Sequence, residues 1–380
     1  MAYTEGRVPG RPLLSYFPLS FLYKLAYAVT IVSRFPFWIL GYALARRWRL
    51  HPAWTFRQTL MVHLTKAVVQ MTCRVETPQP LSLKPGKEKE RFEIMEPFPE
   101  DVYRGPLDDY RVRPATIGGT WFPKKPEDPQ NADLKIVLHI HGGGFVIGDG
   151  RTAQLNFLAT TLLEQAGIDA IFSPQYRLAS RPTAAPFPAA LQDTLTSYLY
   201  LVRTLGIAPR NITLSGDSAG GNLAIALLRY LGAHGTDLAL EPPRAAFLIA
   251  PWVAPLKHLW PRLATTSNPN YGTDFLGTEL PAWGARAYAR LVSAADPHIS
   301  PLGHAFATPV PLFASFGSAE MFAVDGAQWV REMRRVEGNV VEVNWEEAAP
   351  HDTLLVGGEM GFEESAREVA RRIRVFLRKN

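Results

Sequence analysis

A glycine–serine motif between a strand pattern and a helix pattern constrains the fold of this 380-residue chain more than any other feature. Gly216, Ser218 and Gly220 form a G-x-S-x-G match in Gly-Asp-Ser-Ala-Gly. Apolar residues alternate before the motif as in a short strand, and those at 223–231 recur at helical spacing after it. This order is typical of a nucleophile elbow, in which glycines leave room for a tight strand-to-helix turn. The sequence therefore predicts a nucleophilic Ser218, and a tight turn without chemistry is the alternative.

A second glycine-rich segment follows an apolar strand pattern at 134–140 and reads His141-Gly142-Gly143-Gly144-Phe145. Three consecutive glycines cost conformational entropy, so a special backbone requirement must favour them. An acyl-transfer enzyme has one, since backbone N–H groups must come within about 3 Å of the developing oxyanion. His139 and His141 alternate as a metal pair could, but no third ligand of matching type lies near. We expect no metal and no cofactor.

The remaining patterns predict an α/β protein. Strand patterns occur at 116–122, 169–173, 245–250, 309–316 and 340–345, and helix patterns at 153–166, after 186–188, at 325–336 and at 364–377. Alternating strands and helices predict a mostly parallel central sheet with helices on both faces. We place this catalytic domain at 91–380. Residues 252–302 interrupt the alternation and are expected to form a cap.

The first 90 residues predict a separate N-terminal segment of apolar and cap helices. Residues 17–45 are strongly apolar and aromatic, but Lys24, Arg34 and Pro36 interrupt them. We interpret this stretch first as a buried or cap helix, with a membrane-associated helix as the second reading and a membrane span as the third. Residues 76–99, rich in Pro, Lys and Glu, are expected to connect without fixed structure.

A serine nucleophile needs a base and a carboxylate that orients the base, and after an elbow these follow in the order acid, histidine. His351 follows the last strand pattern and is the predicted base. Glu320 follows the preceding strand pattern, at the edge where ligand sites of parallel sheets gather, and is the predicted acid. Asp325 is the rival, although its position also suits a helix N-terminus. Asp217 is expected to brace the elbow.

Composition excludes several other classes. The formal charge is +5, and the basic residues are dispersed, so a nucleic-acid partner is not expected. Cys73 is the only cysteine, which excludes an intrachain disulfide and a thiolate zinc site. We expect Cys73 to be a buried small hydrophobe. An intracellular protein, either cytoplasmic or attached peripherally to an internal membrane, fits this cysteine content. The oligomeric state is left open.

The motifs together resemble the hormone-sensitive-lipase branch of the α/β hydrolases over about residues 134–377. The stretches that carry the resemblance are 141–144, 216–220, the late acid and histidine, Tyr176-Arg177-Leu178-Ala179 with 186–190, and 296–302. The resemblance implies the α/β-hydrolase fold with a helical cap built from the N-terminal segment and the insertion. It also implies an oxyanion hole made of the N–H groups of Gly143, Gly144 and Ala219. Ser180 stands where the family commonly has an acid. The long N-terminal region is similar to fungal members, some of them membrane-associated deacetylases and others encoded for secondary metabolism.

The predicted function is that of a serine carboxylic ester hydrolase, an esterase or deacetylase. Aromatic residues crowd the insertion and predict a bulky apolar small-molecule ester as substrate, with Phe145 and Trp252 in the binding site. The alternative is that these aromatics only pack the cap. Two other functions stay open: an acyltransferase or cyclase with the same triad, and a non-catalytic small-molecule receptor.

Overall fold

The computed structural model describes residues 12–260 and 268–380. The first 11 residues and part of the 252–302 insertion therefore lie outside the described residues. Within the described part, eight strands form one sheet. They are β1 (Phe92–Met95), β2 (Ile117–Phe122), β3 (Ile136–Ile140), β4 (Ala170–Gln175), β5 (Ile212–Asp217), β6 (Ala245–Ile249), β7 (Leu312–Gly317) and β8 (Val341–Glu346). Their spatial order is β1-β2-β4-β3-β5-β6-β7-β8.

The sheet is mostly parallel. Only β2 runs against its neighbours, pairing antiparallel with β1 and β4, whereas β4, β3, β5, β6, β7 and β8 pair in parallel. Every residue of β3 and β5 is buried, because helices cover both faces of the sheet. The predicted α/β class is confirmed.

The helices of the described residues are α1 (Leu19–Leu44), α2 (Phe56–Arg74), α3 (Thr152–Gln165), α4 (Ala189–Leu199), α5 (Ala219–His234), α6 (Glu279–Tyr288), α7 (Ala323–Arg334), α8 (Thr353–Met360) and α9 (Glu363–Lys379). Val137 belongs to an apolar cluster with Leu158 of α3 and Ile373 of α9. The next residue, Leu138, belongs to the cluster that holds residues of α4 and α5. Successive strand residues therefore point into two cores.

The connection at 76–99 was expected to have no fixed structure, and this expectation is wrong for part of it. Residues Gly86–Arg91 form a 3₁₀ turn, and β1 follows it and pairs with β2. The ring of Phe92 lies over Gly118, where an added Cβ would come within 2.0 Å of it. A four-residue strand gives too little alternation to be recognised in the sequence, and it forms because glycine in β2 admits that ring.

The N-terminal helices form a stack outside the sheet. α1 contacts α2, and α2 in turn contacts α6 of the insertion. α2 begins with a capping box, in which Thr55 and Gln58 exchange hydrogen bonds between side chain and backbone. Residues at and just before the start of α2 are hydrogen-bonded to the C-terminal part of the chain. Trp54 Nε1 donates to Ala348 O at 2.5 Å, and Gln58 Nε2 donates to Gly361 O at 2.8 Å.

α1 is not a buried helix. Among the described residues it is the one helix long and apolar enough to cross a membrane by length and composition, yet only 11% of its most apolar window is buried. Cys73 near the end of α2 is buried, as expected, and burial raises the pKa of its thiol to about 12.

Candidate active site

Ser218 lies in the turn between β5 and α5 with a left-handed backbone conformation, φ 51° and ψ −116°. This conformation is strained for a serine and is typical of a nucleophile elbow. The flanking glycines are required sterically. A Cβ on Gly216 would lie 2.3 Å from Gly220 O, and a Cβ on Gly220 would lie 1.9 Å from Ile140 O. The sequence therefore folds the elbow tightly against the end of β3.

The predicted base and acid meet in the structure. His351 lies in the loop after β8, and Glu320 lies in the turn between β7 and α7. Glu320 Oε2 is 3.4 Å from His351 Nδ1, and both side chains are almost fully buried. Asp325, the rival acid, instead lies in the first turn of α7 and pairs with Lys257 Nζ at 2.5 Å. The structure brings Glu320, not Asp325, to the histidine.

Two further carboxyl groups lie close enough to influence this pair electrostatically. Asp274, from the insertion, accepts hydrogen bonds from the N–H groups of Met321 at 2.6 Å and Leu276 at 3.1 Å. Glu346, the last residue of β8, accepts hydrogen bonds from three hydroxyl groups, those of Thr353, Ser365 and Ser315. Neither was predicted. Asp274 carries no sequence signal, whereas Glu346 could have been noticed as a carboxylate at a strand's C-terminal end.

Burial and these carboxylates shift the pKa values of Glu320 and His351. Burial raises the pKa of Glu320 well above its usual range, and the charges of Asp274 and Glu346 raise it further. Burial lowers the pKa of His351, and the nearby Asp274, Asp217 and Glu346 only partly oppose that effect. Burial thus favours the neutral form of His351, which is the form a general base needs.

The glycine loop has a backbone that only glycine adopts easily. Gly143 has φ 109° and Gly144 has φ 62°, and a Cβ on Gly143 would lie 2.0 Å from Ile147 O. The Gly142 N–H donates to Asp217 Oδ1 at 2.8 Å. Across 12–260 and 268–380, no group accepts a hydrogen bond from the N–H of Gly143 or Gly144. Ala219 begins α5, so its N–H is one of those that a helix leaves without an intrahelical acceptor.

Asp217 braces the elbow, as expected. Besides Gly142 it contacts His139, whose Nε2 lies 3.1 Å from Asp217 Oδ1. Burial raises the pKa of the nearby Asp352 carboxyl well above its usual range, and the negative charge of Asp217 raises it further. Asp217 thus interacts electrostatically with the residue that follows His351.

The two histidines before the glycine loop have structural partners. His139 Nδ1 is 3.0 Å from Ser215 Oγ, and His141 Nδ1 is 2.7 Å from Gly142 O. The His141 ring also stacks on Tyr176, with 4.1 Å between centroids. In the described part of the chain, no group of His, Cys, Asp and Glu residues could hold a metal ion.

The two predicted substrate-binding residues lie in an aromatic stack beside the glycine loop. Phe145 stacks on Tyr288 at 3.9 Å and on Trp252 at 5.5 Å, and Trp252 stacks on Phe322 at 5.9 Å. Phe322 meets the His351 ring edge-on at 5.0 Å. The stack thus runs from the glycine loop to the histidine, and both Phe145 and Trp252 are almost fully buried in it.

Comparison with known proteins gives a consistent picture. A family model described as an α/β hydrolase fold matches residues 137–355. An acetyl-hydrolase of Streptomyces hygroscopicus is 38% identical over 124 residues, which are 33% of this chain and 38% of that protein. An ethyl acetate hydrolase of Pseudomonas putida is 28% identical over 269 residues, 68% of this chain and 72% of that one. The match therefore spans well under half of the Streptomyces relative.

Solved structures agree on the architecture. The crystal structure of an esterase from the bacterial hormone-sensitive lipase family superposes with a TM-score of 0.59, at 22% sequence identity, over 86% of this chain and 99% of that one. At this identity the likeness concerns the fold.

Proposed function

The chain belongs to the α/β-hydrolase fold family, and we propose that it is a serine carboxylic ester hydrolase with Ser218, His351 and Glu320 as its catalytic triad. The observation that carries the proposal is the approach of Glu320 Oε2 to within 3.4 Å of His351 Nδ1, in loops that follow neighbouring strands of the sheet bearing the Ser218 elbow. A buried imidazole beside a carboxyl group is the arrangement that activates a serine hydroxyl.

In the first half of the reaction, Ser218 Oγ attacks the ester carbonyl carbon while its proton passes to His351 Nε2. Negative charge develops on the carbonyl oxygen, and the N–H groups of Gly143, Gly144 and Ala219 stabilise it. Each such donor contributes about 3 kcal/mol to lowering the barrier. The tetrahedral intermediate then collapses, the alcohol leaves with the proton from Nε2, and the acyl group stays on Oγ.

Water completes the cycle. It gives a proton to His351 Nε2 as its oxygen adds to the acyl carbon, and the second intermediate breaks the bond to Ser218 Oγ. The serine recovers its proton from Nε2, and a carboxylic acid is released. In both halves the positive charge on the imidazole favours the ionised form of Glu320, although burial favours the neutral form in the resting enzyme.

For the substrate, we propose an ester of a bulky apolar small molecule, with an acetyl group as the first acyl group to test. The aromatic stack of Phe145, Trp252 and Phe322 beside the glycine loop supports an apolar binding site. The two relatives described above are named for acetyl hydrolysis and ethyl acetate hydrolysis, which supports the acetyl group. We further propose an intracellular location, which the single cysteine fits, and a place in secondary metabolism, which is the expectation that the resemblance of the N-terminal region implies.

Ser218→Ala tests the chemistry. The variant should lose nearly all turnover of p-nitrophenyl acetate and all labelling by a fluorophosphonate, because it lacks the oxygen that carries the acyl group. Ser293→Ala, at an exposed serine, is the matched control and should behave as the wild type. Wild-type turnover by Ser218→Ala would refute the mechanism. Ester binding by the wild type without turnover or labelling would indicate a receptor instead.

The substrate proposal has its own test. Rates on acetates of small and bulky apolar alcohols, and on esters of increasing acyl length, should rise with apolar size up to the limit of the site. A preference for the smallest water-soluble esters would contradict an apolar pocket while leaving the triad unaffected. Analysis of the products separates hydrolysis from transfer to another acceptor.

A further inference from the structure

The α1 helix leaves most of its apolar side chains exposed, unlike a helix on a soluble protein. Such a helix normally turns its apolar stripe to the core and its polar side chains to water. Here the face that packs on α2 carries Tyr27, Trp38 and Tyr42. Tyr27 OH donates to Gln70 Oε1 at 3.4 Å, Trp38 stacks on His63 at 4.1 Å, and Tyr42 OH lies 2.5 Å from His63 Nδ1.

The outer face of α1 is apolar and exposed. Val32 is 71% exposed and Phe37 is 74% exposed, and other large apolar side chains share this face. They are Phe21, Leu22, Leu25, Val29, Leu40 and Leu44. A continuous apolar surface of this kind marks a contact with a protein or a membrane.

The charge of the N-terminal region indicates which of these it is. Residues 6–75 contain ten of the 40 Lys and Arg residues of the chain and none of its 35 Asp and Glu residues, so the rest of the chain is net negative. Arg46, Arg47 and Trp48 follow the end of α1 and are exposed. Basic residues and tryptophan beside an apolar helix are suited to the headgroup region of an anionic bilayer.

We propose that the outer face of α1 binds an anionic lipid bilayer, with the helix lying in the plane of the membrane surface. The 26-residue helix is about 39 Å long and could reach across a bilayer. A spanning helix, however, would have to leave α2 and expose the groups that Tyr27 and Tyr42 bind there. It would also take Arg34, near the middle of the helix, into the hydrocarbon. A helix that lies on the membrane surface keeps its contacts with α2 and buries only its outer apolar face in the bilayer.

Vesicle flotation of the full-length protein tests the proposal without reference to catalysis. We expect the protein to float with vesicles of phosphatidylcholine and phosphatidylserine, and to bind about tenfold less to phosphatidylcholine alone or in high salt. Val32→Asp places a charge on the outer face and should lower binding by about tenfold or more. Val375→Asp alters a valine on α9 that is 54% exposed, and it should bind as the wild type does.

Three results would overturn the proposal. The first is failure of the wild type to float, or equal flotation of the wild type and Val32→Asp. The second is protection of an N-terminal tag from protease by sealed vesicles, since that would show a spanning helix. The third is a dimer by analytical ultracentrifugation that Val32→Asp disperses while no flotation occurs, because a second copy would then cover the face. Circular dichroism checks that both variants are folded.

Discussion

Replacing Glu320 by glutamine is the most informative single change, because it removes the carboxyl group that can ionise beside the His351 imidazolium while keeping the shape of the side chain. A unit charge pair at the observed 3.4 Å interacts by about 5 kcal/mol at an effective dielectric constant of about 20. Losing that stabilisation of the imidazolium corresponds to a 1,000- to 10,000-fold fall in kcat. Asp274 and Glu346 still supply negative potential to His351, so we expect a value near about 1,000-fold.

The matched control is Asp325→Asn, which neutralises the rival acid and breaks only its pair with the half-exposed Lys257. We expect it to change kcat less than about threefold, because exposed ion pairs contribute little. Both variants are assayed with p-nitrophenyl acetate and by thermal melting. Burial already disfavours the charged form of Glu320, so Glu320→Gln should melt at or above the wild-type temperature.

A folded Glu320→Gln variant that keeps kcat within tenfold of the wild type would show that Glu320 does not stabilise the imidazolium. An equal loss in Asp325→Asn would also refute the reasoning, since the charge at 320 would then have no special role.

Two other predictions follow from the same site. Catalysis needs neutral His351, and burial lowers the pKa of His351 below the usual histidine value, so kcat/KM should fall only at pH values below that lowered pKa. Asp274→Asn removes a negative charge that raises the pKa of His351, so it should move this acid limb of the profile to still lower pH. A shift to higher pH in a pH-rate profile would contradict this. Gly143→Ala should lower kcat by about 100-fold or more, because the new Cβ would collide with Ile147 O at 2.0 Å and displace the oxyanion donors. Gly303→Ala, with φ 84° and no atom within 4 Å of its Cβ, is the control for backbone strain alone, and equal kcat values for the two variants would argue against the oxyanion role.

The elbow and the order of the elements could be predicted because their signals are local. Gly216, Ser218 and Gly220 lie between a strand pattern and a helix pattern, and both extend over several residues. The approach of Glu320 to His351 followed from topology, since β7 and β8 are parallel neighbours whose C-terminal ends share one edge of the sheet.

The features that the sequence did not reveal depend on contacts between distant residues. Asp274 reaches the site only because the insertion folds over the turn at Met321, 47 positions later. The helix α8, directly after His351, contains Gly357 and Gly358, which disfavour a helix in isolation. It forms because Gly358 fits against the ring of Phe157, where an added Cβ would lie 2.8 Å away. The exposure of apolar residues on the outer face of α1 likewise depends on where α2 lies.

The bonds from the start of α2 to Ala348 and Gly361 have a consequence for protein engineering. Those two carbonyl groups flank His351 in the sequence, so the amino-terminal extension supports the loop that carries the base. Trimming the chain beyond residue 54 to improve expression would remove that support along with the apolar helix. A chimera that exchanges this extension between relatives would need to exchange residues 348–361 with it, because hydrogen bonds join the two segments.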